Sequence, residues 1–262
     1  FRVSGPWSIM SGRCPGMGCR PCGWTKMPEI PADTPEFIVV EGPIGVGKTS
    51  LVNRLSQSLA CPSLLERAEE NPFLERFYQD AMVAAFPAQL YFLYQRSRQL
   101  EQVRQRDLFA DRLVADFMFE KDRLFAELNL QREELALYDQ VSSGLAVEAP
   151  CPDLVVSLQA PVDVLMQRVR RRGRPGERTL STDYLGRLSE AYSRFFYFYD
   201  QAPVLIVNAG EINPVERDAD YSALLQQICR PQHGKRYFNP SPLAINSSHI
   251  GISHRSVPEE ER

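Results

Sequence analysis

The most informative stretch of the sequence spans residues 37–49 and reads Phe37-Ile-Val-Val-Glu41-Gly42-Pro-Ile-Gly45-Val-Gly47-Lys48-Thr49. Its second part matches the pattern GxxxxGK[ST] without a gap and follows a short apolar run typical of a buried strand. Glycines let the backbone curl so that successive N–H groups point at phosphate oxygens, and a following helix adds the positive end of its dipole. The stretch therefore predicts a phosphate-binding loop between a strand and a helix. A glycine-rich turn with a surface lysine is the weaker interpretation, because both flanking elements are predicted as well.

The loop also indicates which side chains bind which groups. Lys48 is predicted to reach the β- and γ-phosphates of a nucleoside triphosphate, and the Thr49 hydroxyl to ligate Mg²⁺. Only four of the 30 basic residues are Lys, which makes Lys48 stand out. The residues expected to contact ATP are Gly42, Pro43, Ile44, Gly45, Val46, Gly47, Lys48, Thr49 and Ser50.

Composition divides the chain into three parts. Residues 1–36 are rich in Pro and Gly and are expected to form a disordered leader, residues 37–229 a single domain, and residues 230–262 a flexible tail. The net charge of −3 gives no reason to expect a nucleic-acid polymer as partner. No apolar run approaches the roughly 20 residues of a membrane helix. Cysteines scattered singly in the domain are typical of a cytoplasmic protein.

Within the domain, short apolar runs alternate with long amphipathic segments. This alternation predicts crossover connections and hence an α/β fold, in which a mostly parallel five-stranded sheet is covered by helices on both faces. The predicted strands are 37–41, 62–66, 113–116, 154–158 and 204–207. The predicted helices start near residues 49, 72, 87, 120, 161 and 182.

Carboxylates end the second and third predicted strands, as Leu64-Leu65-Glu66 and Leu113-Val-Ala-Asp116. In open α/β sheets, ligands bind beyond the carboxyl ends of the strands, so both acids are expected in the crevice beside the phosphate loop. There they can orient Mg²⁺ and take a proton from an attacking hydroxyl, whereas they would repel an acceptor that carries a phosphate. The pair therefore favours a neutral alcohol as phosphoryl acceptor. Taken singly, each acid also fits the polar end of a surface strand.

Arginines are concentrated in the stretch Arg168-Val-Arg-Arg-Arg172-Gly-Arg174. Arg168 and Arg172 lie four residues apart and share one helical face. Beside a triphosphate site, such a stretch predicts an Arg-rich lid that closes on the phosphates and neutralises charge on the transferred group. By itself, the stretch also fits a solvated basic helix end.

Together these elements resemble the deoxynucleoside kinase family, and within it the bacterial deoxyadenosine/deoxyguanosine kinases, over residues 37–229. The resemblance implies a three-layer P-loop kinase fold, a homodimer, and transfer from ATP with Mg²⁺ to the 5′-hydroxyl of a deoxyribonucleoside, a purine being favoured. Glu66 corresponds to the catalytic base. Tyr78, which follows the family-like stretch Glu70-Asn-Pro-Phe-Leu74, corresponds to a tyrosine on the sugar 3′-hydroxyl.

The same resemblance implies which residues read the base. Gln89 and Arg96 match the family's glutamine and arginine, and Asp122 matches an aspartate that orients such an arginine. The spacing supports the first pair independently, because residues seven apart lie on one helical stripe. Glu177 corresponds to a lid acid that helps to hold the sugar. The catalytic set implied in this way is Glu66, Lys48, Arg168, Arg172 and Asp116.

The chain departs from the family pattern at Asp116-Phe117-Met118, where many relatives have Glu-Arg-Ser. The acid is kept, but the arginine of that motif is missing, and the sequence does not identify what replaces its charge near the phosphate. The pocket for the ATP adenine is expected near residues 218–221.

Other functions share part of this pattern. A nucleoside monophosphate kinase of the thymidylate kinase type has the same loop, lid and fold, but it needs basic groups for the acceptor phosphate where this chain has Glu66. A GTP-binding switch normally carries Asn-Lys-x-Asp after a late strand, where this chain has Asn208-Ala-Gly-Glu211. Among nucleoside kinases, a pyrimidine-preferring or broad enzyme stays open, since an amide and a guanidinium can meet either kind of base.

Overall fold

A parallel sheet of six strands forms the centre of the computed structural model, which describes residues 31, 33–106, 112–145, 149–174, 176–231 and 233–239. The strands are β1 (Phe37–Glu41), β2 (Ser63–Leu64), β3 (Leu113–Ala115), β4 (Leu154–Gln159), β5 (Val204–Asn208) and β6 (Lys235–Phe238). Their spatial order is β2-β3-β1-β4-β5-β6. The helices are α1 (Lys48–Ser58), α2 (Leu74–Gln79), α3 (Ala81–Arg106), α4 (Lys121–Asn129), α5 (Arg132–Leu145), α6 (Val162–Arg172), α7 (Thr182–Phe198) and α8 (Asp218–Ile228).

The central strands are buried almost along their whole length. Ile38, Val39 and Val40 of β1 are at most 1% exposed, and residues 154–156 of β4 are fully buried. A strand that is apolar at every position has to be covered on both faces, because successive side chains point to opposite sides of the sheet. The prediction of a parallel α/β fold with helices around the sheet is confirmed.

The strand order leaves a space between the loops beyond the carboxyl end of β1. The chain leaves β1 for β2 and β3 on one side and then crosses to β4 on the other side. Loops that diverge in this way leave a crevice beyond the carboxyl ends of the strands. The loop after β1 and the ends of β2 and β3 therefore border one crevice.

The sheet has one strand more than the five that the sequence predicted. β6 pairs in parallel with β5, from Val204 opposite Lys235 to Val207 opposite Phe238. It lies within residues 230–262, so the expectation of a flexible tail was wrong for 235–238. An edge strand pairs on one side only and needs no continuous apolar run, which is why the sequence pattern missed it. Most of the predicted leader (1–30) and the end of the predicted tail (240–262) lie outside the described residues.

Helix α3 is longer than the sequence predicted. It has 26 residues and begins at Ala81, so Pro87 lies inside it. The sequence predicted a start near residue 87, six residues too late. Neither α3 nor any other helix of the described ranges is both long and apolar enough to cross a membrane.

Removal of β6 should lower the stability of the domain. A chain shortened to end at residue 231 loses the backbone hydrogen bonds between β5 and β6. At roughly 1 kcal/mol for each of two or three bonds, the Tm followed by circular dichroism should fall by about 4–10 °C. A chain that ends at residue 239 is the matched control and should melt with the full-length protein. Equal Tm values for the two shortened chains would contradict a stabilising role of β6.

Candidate active site

The loop after β1 has the backbone shape that a phosphate cradle requires. Gly42, Gly45 and Gly47 have φ angles of +146°, +85° and +107°, which residues with a side chain rarely adopt. A Cβ atom at Gly42 would lie 2.4 Å from the carbonyl oxygen of Leu158. Helix α1 begins directly at Lys48, so the free N–H groups of its first turn adjoin the loop.

Lys48 folds back over this loop. Its Nζ donates to the carbonyl oxygen of Gly42 at 2.7 Å and to that of Pro43 at 3.2 Å. Burial, with the positive charge of Lys121, lowers the pKa of Lys48 to about 8, although neighbouring carboxylates such as Glu66 oppose the shift. The ammonium group is therefore still mostly protonated at neutral pH, beside the place where phosphate charge would lie.

The side chains of Thr49 and Asp116, which the sequence predicted as ligands of one metal ion, lie in contact. Thr49 Oγ1 donates to Asp116 Oδ2 at 2.5 Å, and Asp116 Oδ1 accepts a 2.6 Å hydrogen bond from the backbone N–H of Glu66. A hydroxyl and a carboxylate are oxygen ligands of the kind that Mg²⁺ takes, and Mg²⁺ usually completes its shell with water and substrate phosphates. The donor set therefore fits Mg²⁺ bound together with a nucleotide.

Glu66 lies two residues after β2, between two cations. Its Oε1 accepts hydrogen bonds from the guanidinium of Arg96, with Nε at 2.9 Å, and its Oε2 accepts one from Lys121 Nζ at 3.2 Å. Burial by itself raises the pKa of Glu66, but the charges of Arg96 and Lys121 outweigh it and hold the pKa at about 2. Glu66 is therefore ionised at neutral pH and can accept a proton.

Gln89 and Arg96 of α3 both contact Asp122 of α4. Gln89 Nε2 donates to the backbone carbonyl of Asp122 at 3.0 Å and to its carboxylate, and Arg96 Nη1 donates to Asp122 Oδ1 at 2.5 Å. The three side chains are no more than 4% exposed. Burial raises the pKa of Asp122 to about 6 against the charge of Arg96. Because both amide hydrogens of Gln89 point to Asp122, its side-chain oxygen remains as the acceptor for a ligand.

Tyr78 of α2 and the segment after α6 form another part of the rim. Arg172 Nη2 pairs with Glu177 Oε1 at 2.6 Å, and Glu177 is 6% exposed. Thr179 Oγ1 donates to the carbonyl oxygen of Tyr78 at 2.7 Å. Burial, with the charge of Glu177, raises the pKa of Tyr78, so the phenol stays neutral. A phenol near a carboxylate can donate to and accept from a sugar hydroxyl.

These groups line one crevice of about 610 Å³. Its polar wall carries nine of the residues that the sequence singled out, namely Lys48, Thr49, Glu66, Tyr78, Gln89, Arg96, Asp116, Arg172 and Glu177. Its aromatic lining consists of Phe77, Tyr78, Phe92, Phe125 and Tyr184. Asp122 is the exception among the predicted substrate residues, because it lies behind Gln89 and Arg96 and not on the wall.

Arg168 also lies off this wall, contrary to the expectation that it faces the transferred group together with Arg172. Its guanidinium donates to the carbonyl oxygen of Val46 at 3.2 Å and to that of Ala209 at 2.8 Å, which braces the phosphate loop from outside. Arg172 comes four residues after Arg168 and therefore lies about 6 Å further along the helix axis. At this position its side chain borders the crevice.

A second pocket, of about 320 Å³, lies beside the phosphate loop and is bordered by Arg168 and residues 213–215. The sequence placed the adenine of ATP near residues 218–221. The ring of Tyr221, however, is covered by the guanidinium of Arg54 at 4.0 Å, and its hydroxyl lies 2.6 Å from Ser58 Oγ. The free space beside the loop therefore adjoins residues 213–215 and not Tyr221.

Sequence reasoning missed two residues of the site, Glu41 and Lys121. Glu41 ends β1, is fully buried, and accepts hydrogen bonds of 3.1 Å from the backbone N–H of Gly42 and the hydroxyl of Tyr192. Lys121 begins α4 and lies between Glu41 and Glu66. Two signals could have found them, a carboxylate closing an otherwise apolar strand and the scarcity of Lys that had drawn attention to Lys48.

Comparison with known proteins identifies the family. The family model described as deoxynucleoside kinase matches residues 38–231. This chain belongs to the deoxynucleoside kinase family. The resemblance inferred from the sequence motifs is thereby confirmed, and with it the interpretation of the chain as a kinase.

Named relatives and a solved structure agree with this membership. Deoxyguanosine kinase of Bacillus subtilis strain 168 is 35% identical over 161 residues, which cover 61% of this chain and 78% of that protein. Deoxyguanosine kinase of Lactobacillus acidophilus is 31% identical over 205 residues, which cover 73% and 88%. The structure of deoxyadenosine kinase from M. mycoides with the products dCMP and dCDP matches with a TM-score of 0.65 at 25% identity, over 73% of this chain and 98% of that one.

The depressed pKa of Glu66 should make the stability of this deoxynucleoside kinase depend on pH. The pKa rises from about 2 in the folded protein to about 4.5 on unfolding, so the ionised carboxylate stabilises the fold above pH 4.5 and this contribution is lost as the pH falls towards 2. From pH 5 to pH 3, the free energy of unfolding should fall by about 1–2 kcal/mol more in the natural sequence than in Glu66→Gln. Urea unfolding at both pH values measures this difference.

Glu133→Gln, which removes an exposed carboxylate on α5, is the control and should follow the natural sequence. If Glu66→Gln lost as much stability as the natural sequence over this pH range, the ion pairs of Glu66 would not hold its pKa low.

Proposed function

We propose that the chain transfers the γ-phosphoryl group of ATP to the 5′-hydroxyl of a deoxyribonucleoside, with a preference for purines. The observation that carries the proposal is that the phosphate loop, Glu66 and Gln89 line one crevice. Such a crevice holds a triphosphate at the loop, a base for the attacking hydroxyl and an amide for the nucleobase. The two relatives named deoxyguanosine kinase support the purine preference.

Glu66 is the group that takes the proton. The 5′-oxygen forms its bond to the γ-phosphorus while the bond to the β,γ-bridging oxygen breaks, ADP leaves with that electron pair, and the hydroxyl proton passes to Glu66. A carboxylate with a pKa near 2 is a weak base. It suits a loose transition state, in which the hydroxyl becomes acidic only as its bond to phosphorus forms.

Lys48 and Arg172 supply positive charge to the transferred group. Lys48 lies over the phosphate loop, and Arg172 is held at the rim by its ion pair with Glu177. Arg168 contributes through the loop, whose backbone it braces. Thr49 and Asp116 would hold Mg²⁺, which when bound offsets the negative charge of the β- and γ-phosphates.

The remaining polar groups recognise the nucleoside. Tyr78 and Glu177 bind the sugar hydroxyl, Glu177 as a buried carboxylate and Tyr78 as a neutral phenol. The free side-chain oxygen of Gln89 accepts a hydrogen bond from an amino group of the base, while Asp122 fixes the orientation of Gln89 and Arg96. Such an acceptor serves adenine, guanine and cytosine alike.

A broader specificity that includes cytosine is the second candidate. The matching deoxyadenosine kinase from M. mycoides has dCMP as a bound product, so a kinase named for a purine nucleoside also carries a cytosine nucleotide. A kinase for nucleoside monophosphates fits less well, because its acceptor phosphate would lie beside Glu66, where the neighbouring cations are already paired with carboxylates. Arg96 is committed to Glu66 and Asp122, and Lys121 to Glu41 and Glu66. The homodimer and the cytoplasmic location stay predictions from the sequence.

A direct assay tests the proposed reaction. With ATP and Mg²⁺, deoxyguanosine and deoxyadenosine should give their 5′-monophosphates with higher kcat/KM than deoxycytidine and thymidine, measured by chromatography of the products. Glu66→Gln should bind the nucleoside but lower kcat by about 100-fold or more, whereas Glu133→Gln should leave kcat unchanged. Phosphorylation of dGMP without phosphorylation of any nucleoside would refute the proposal.

Gln89→Ala should weaken binding of the nucleoside more than it slows the phosphoryl transfer step. Loss of the acceptor oxygen should raise the KM for the preferred nucleoside by about 10-fold, corresponding to one buried hydrogen bond, and bring the kcat/KM values of the four nucleosides closer together. Gln79→Ala, at the exposed end of α2, is the control. An unchanged ranking of the four nucleosides in Gln89→Ala would show that Gln89 does not read the base.

A further inference from the structure

Lys121 contacts Glu66 on the side away from the crevice. Its side chain is 3% exposed, and Nζ lies 3.2 Å from Glu66 Oε2 and 3.5 Å from Glu41 Oε1. Lys121 is not among the residues that line the crevice, whereas Glu66 is. Lys121 therefore does not contact a bound nucleoside itself, and its direct contacts lead to the crevice through Glu66.

The two oxygens of Glu66 differ in their free capacity for hydrogen bonds. Oε1 accepts two, from Nε and Nη2 of Arg96, and a carboxylate oxygen has two lone pairs. Oε2 accepts one, from Lys121, and keeps one lone pair. Among the contacts of the described residues, Oε2 is thus the atom of Glu66 that can still accept a hydrogen bond from a hydroxyl in the crevice.

Glu41 ties Lys121 to the start of the phosphate loop. The Glu41 carboxylate is fully buried and accepts hydrogen bonds from the backbone N–H groups of Gly42 at 3.1 Å and Met118 at 3.0 Å. Lys121 bridges this fixed carboxylate to Glu66. The position of Oε2 is therefore set relative to the loop that is proposed to hold the γ-phosphate.

We propose that Lys121 is a positioning residue of the phosphoryl transfer, which holds Oε2 of Glu66 so that its remaining lone pair faces the attacking hydroxyl. This inference rests on the proposed function. A simple structural role would be to neutralise Glu41, since a buried carboxylate without a cation is strongly destabilising. The two roles differ in one respect, because a positioning role requires the effect of Lys121 on kcat to depend on Glu66.

A double-mutant cycle of Lys121→Met and Glu66→Gln separates these roles. Lys121→Met should lower kcat by roughly 10- to 100-fold, the range expected when a reacting group is misplaced by up to about 1 Å. The KM for the nucleoside should stay within about threefold, because Lys121 does not touch the crevice. In the Glu66→Gln background, Lys121→Met should lower kcat by less than about threefold more. Lys235→Met, the same substitution on β6, is the matched control and should leave kcat unchanged in both backgrounds.

Two results would overturn the inference. One is a folded Lys121→Met variant with kcat within threefold of the natural sequence, and the other is losses of kcat that multiply in the double variant. If Lys121→Met does not fold, as judged by circular dichroism, Lys121→Arg takes its place in the cycle. It keeps the charge but moves the donor, so it should show a smaller loss of kcat that disappears in the Glu66→Gln background. The positioning role would be refuted if Lys121→Arg lowered kcat equally in the Glu66→Gln background, or if it did not lower kcat at all.

The assay of the natural sequence keeps the two proposals apart. Absence of phosphate transfer to every nucleoside refutes the proposed function and, with it, this inference. Normal transfer combined with a multiplicative cycle refutes the role of Lys121 alone.

Discussion

This structure is organised around a cluster of largely buried carboxylates near the carboxyl ends of β1, β2 and β3. The acids are Glu41, Glu66, Asp116 and Asp122. A buried carboxylate without a partner is destabilising by several kcal/mol, so the fold has to bring cations to the same place. Helix α3 brings Arg96 and helix α4 brings Lys121, and each cation bridges two of the acids. The packing of these two helices against the ends of the strands is thus also an electrostatic requirement.

The same bridges leave Glu66 and Asp122 with different pKa values. Glu66 lies between Arg96 and Lys121 and keeps a pKa of about 2, whereas burial raises the pKa of Asp122 to about 6. Glu66 faces the crevice as an ionised carboxylate, and Asp122 lies behind the wall, where it accepts hydrogen bonds from Gln89. Stability and chemistry therefore depend on the same contacts, and a change at either cation affects both. The family motif has an arginine at the position of Phe117, and the ammonium of Lys121 lies 5.9 Å from the centre of the Phe117 ring.

The phosphate loop is held by contacts from several sides. Glycines allow its positive φ angles, Glu41 accepts a hydrogen bond from its first N–H, and Arg168 binds the carbonyl oxygen of Val46. Lys48 closes the loop from within by its bond to Gly42. A loop fixed in this way does not have to be ordered at the moment of phosphate binding, which reduces the entropic cost of binding.

Local sequence patterns suffice to predict the features that depend on near neighbours in the chain: the phosphate loop, the buried strands β1, β4 and β5, and the common face of Gln89 and Arg96. It also placed Glu66 and Asp116 in one crevice, because parallel strands end at the same edge of a sheet. Which cation pairs with which acid, in contrast, is set by the packing of elements that are distant in the chain. Lys121 and Glu66 are 55 residues apart in the chain, and their contact follows from the strand order and the docking of α4. The direction of Arg168 and the pairing of β6 were decided in the same way, since both depend on neighbours that no local pattern specifies.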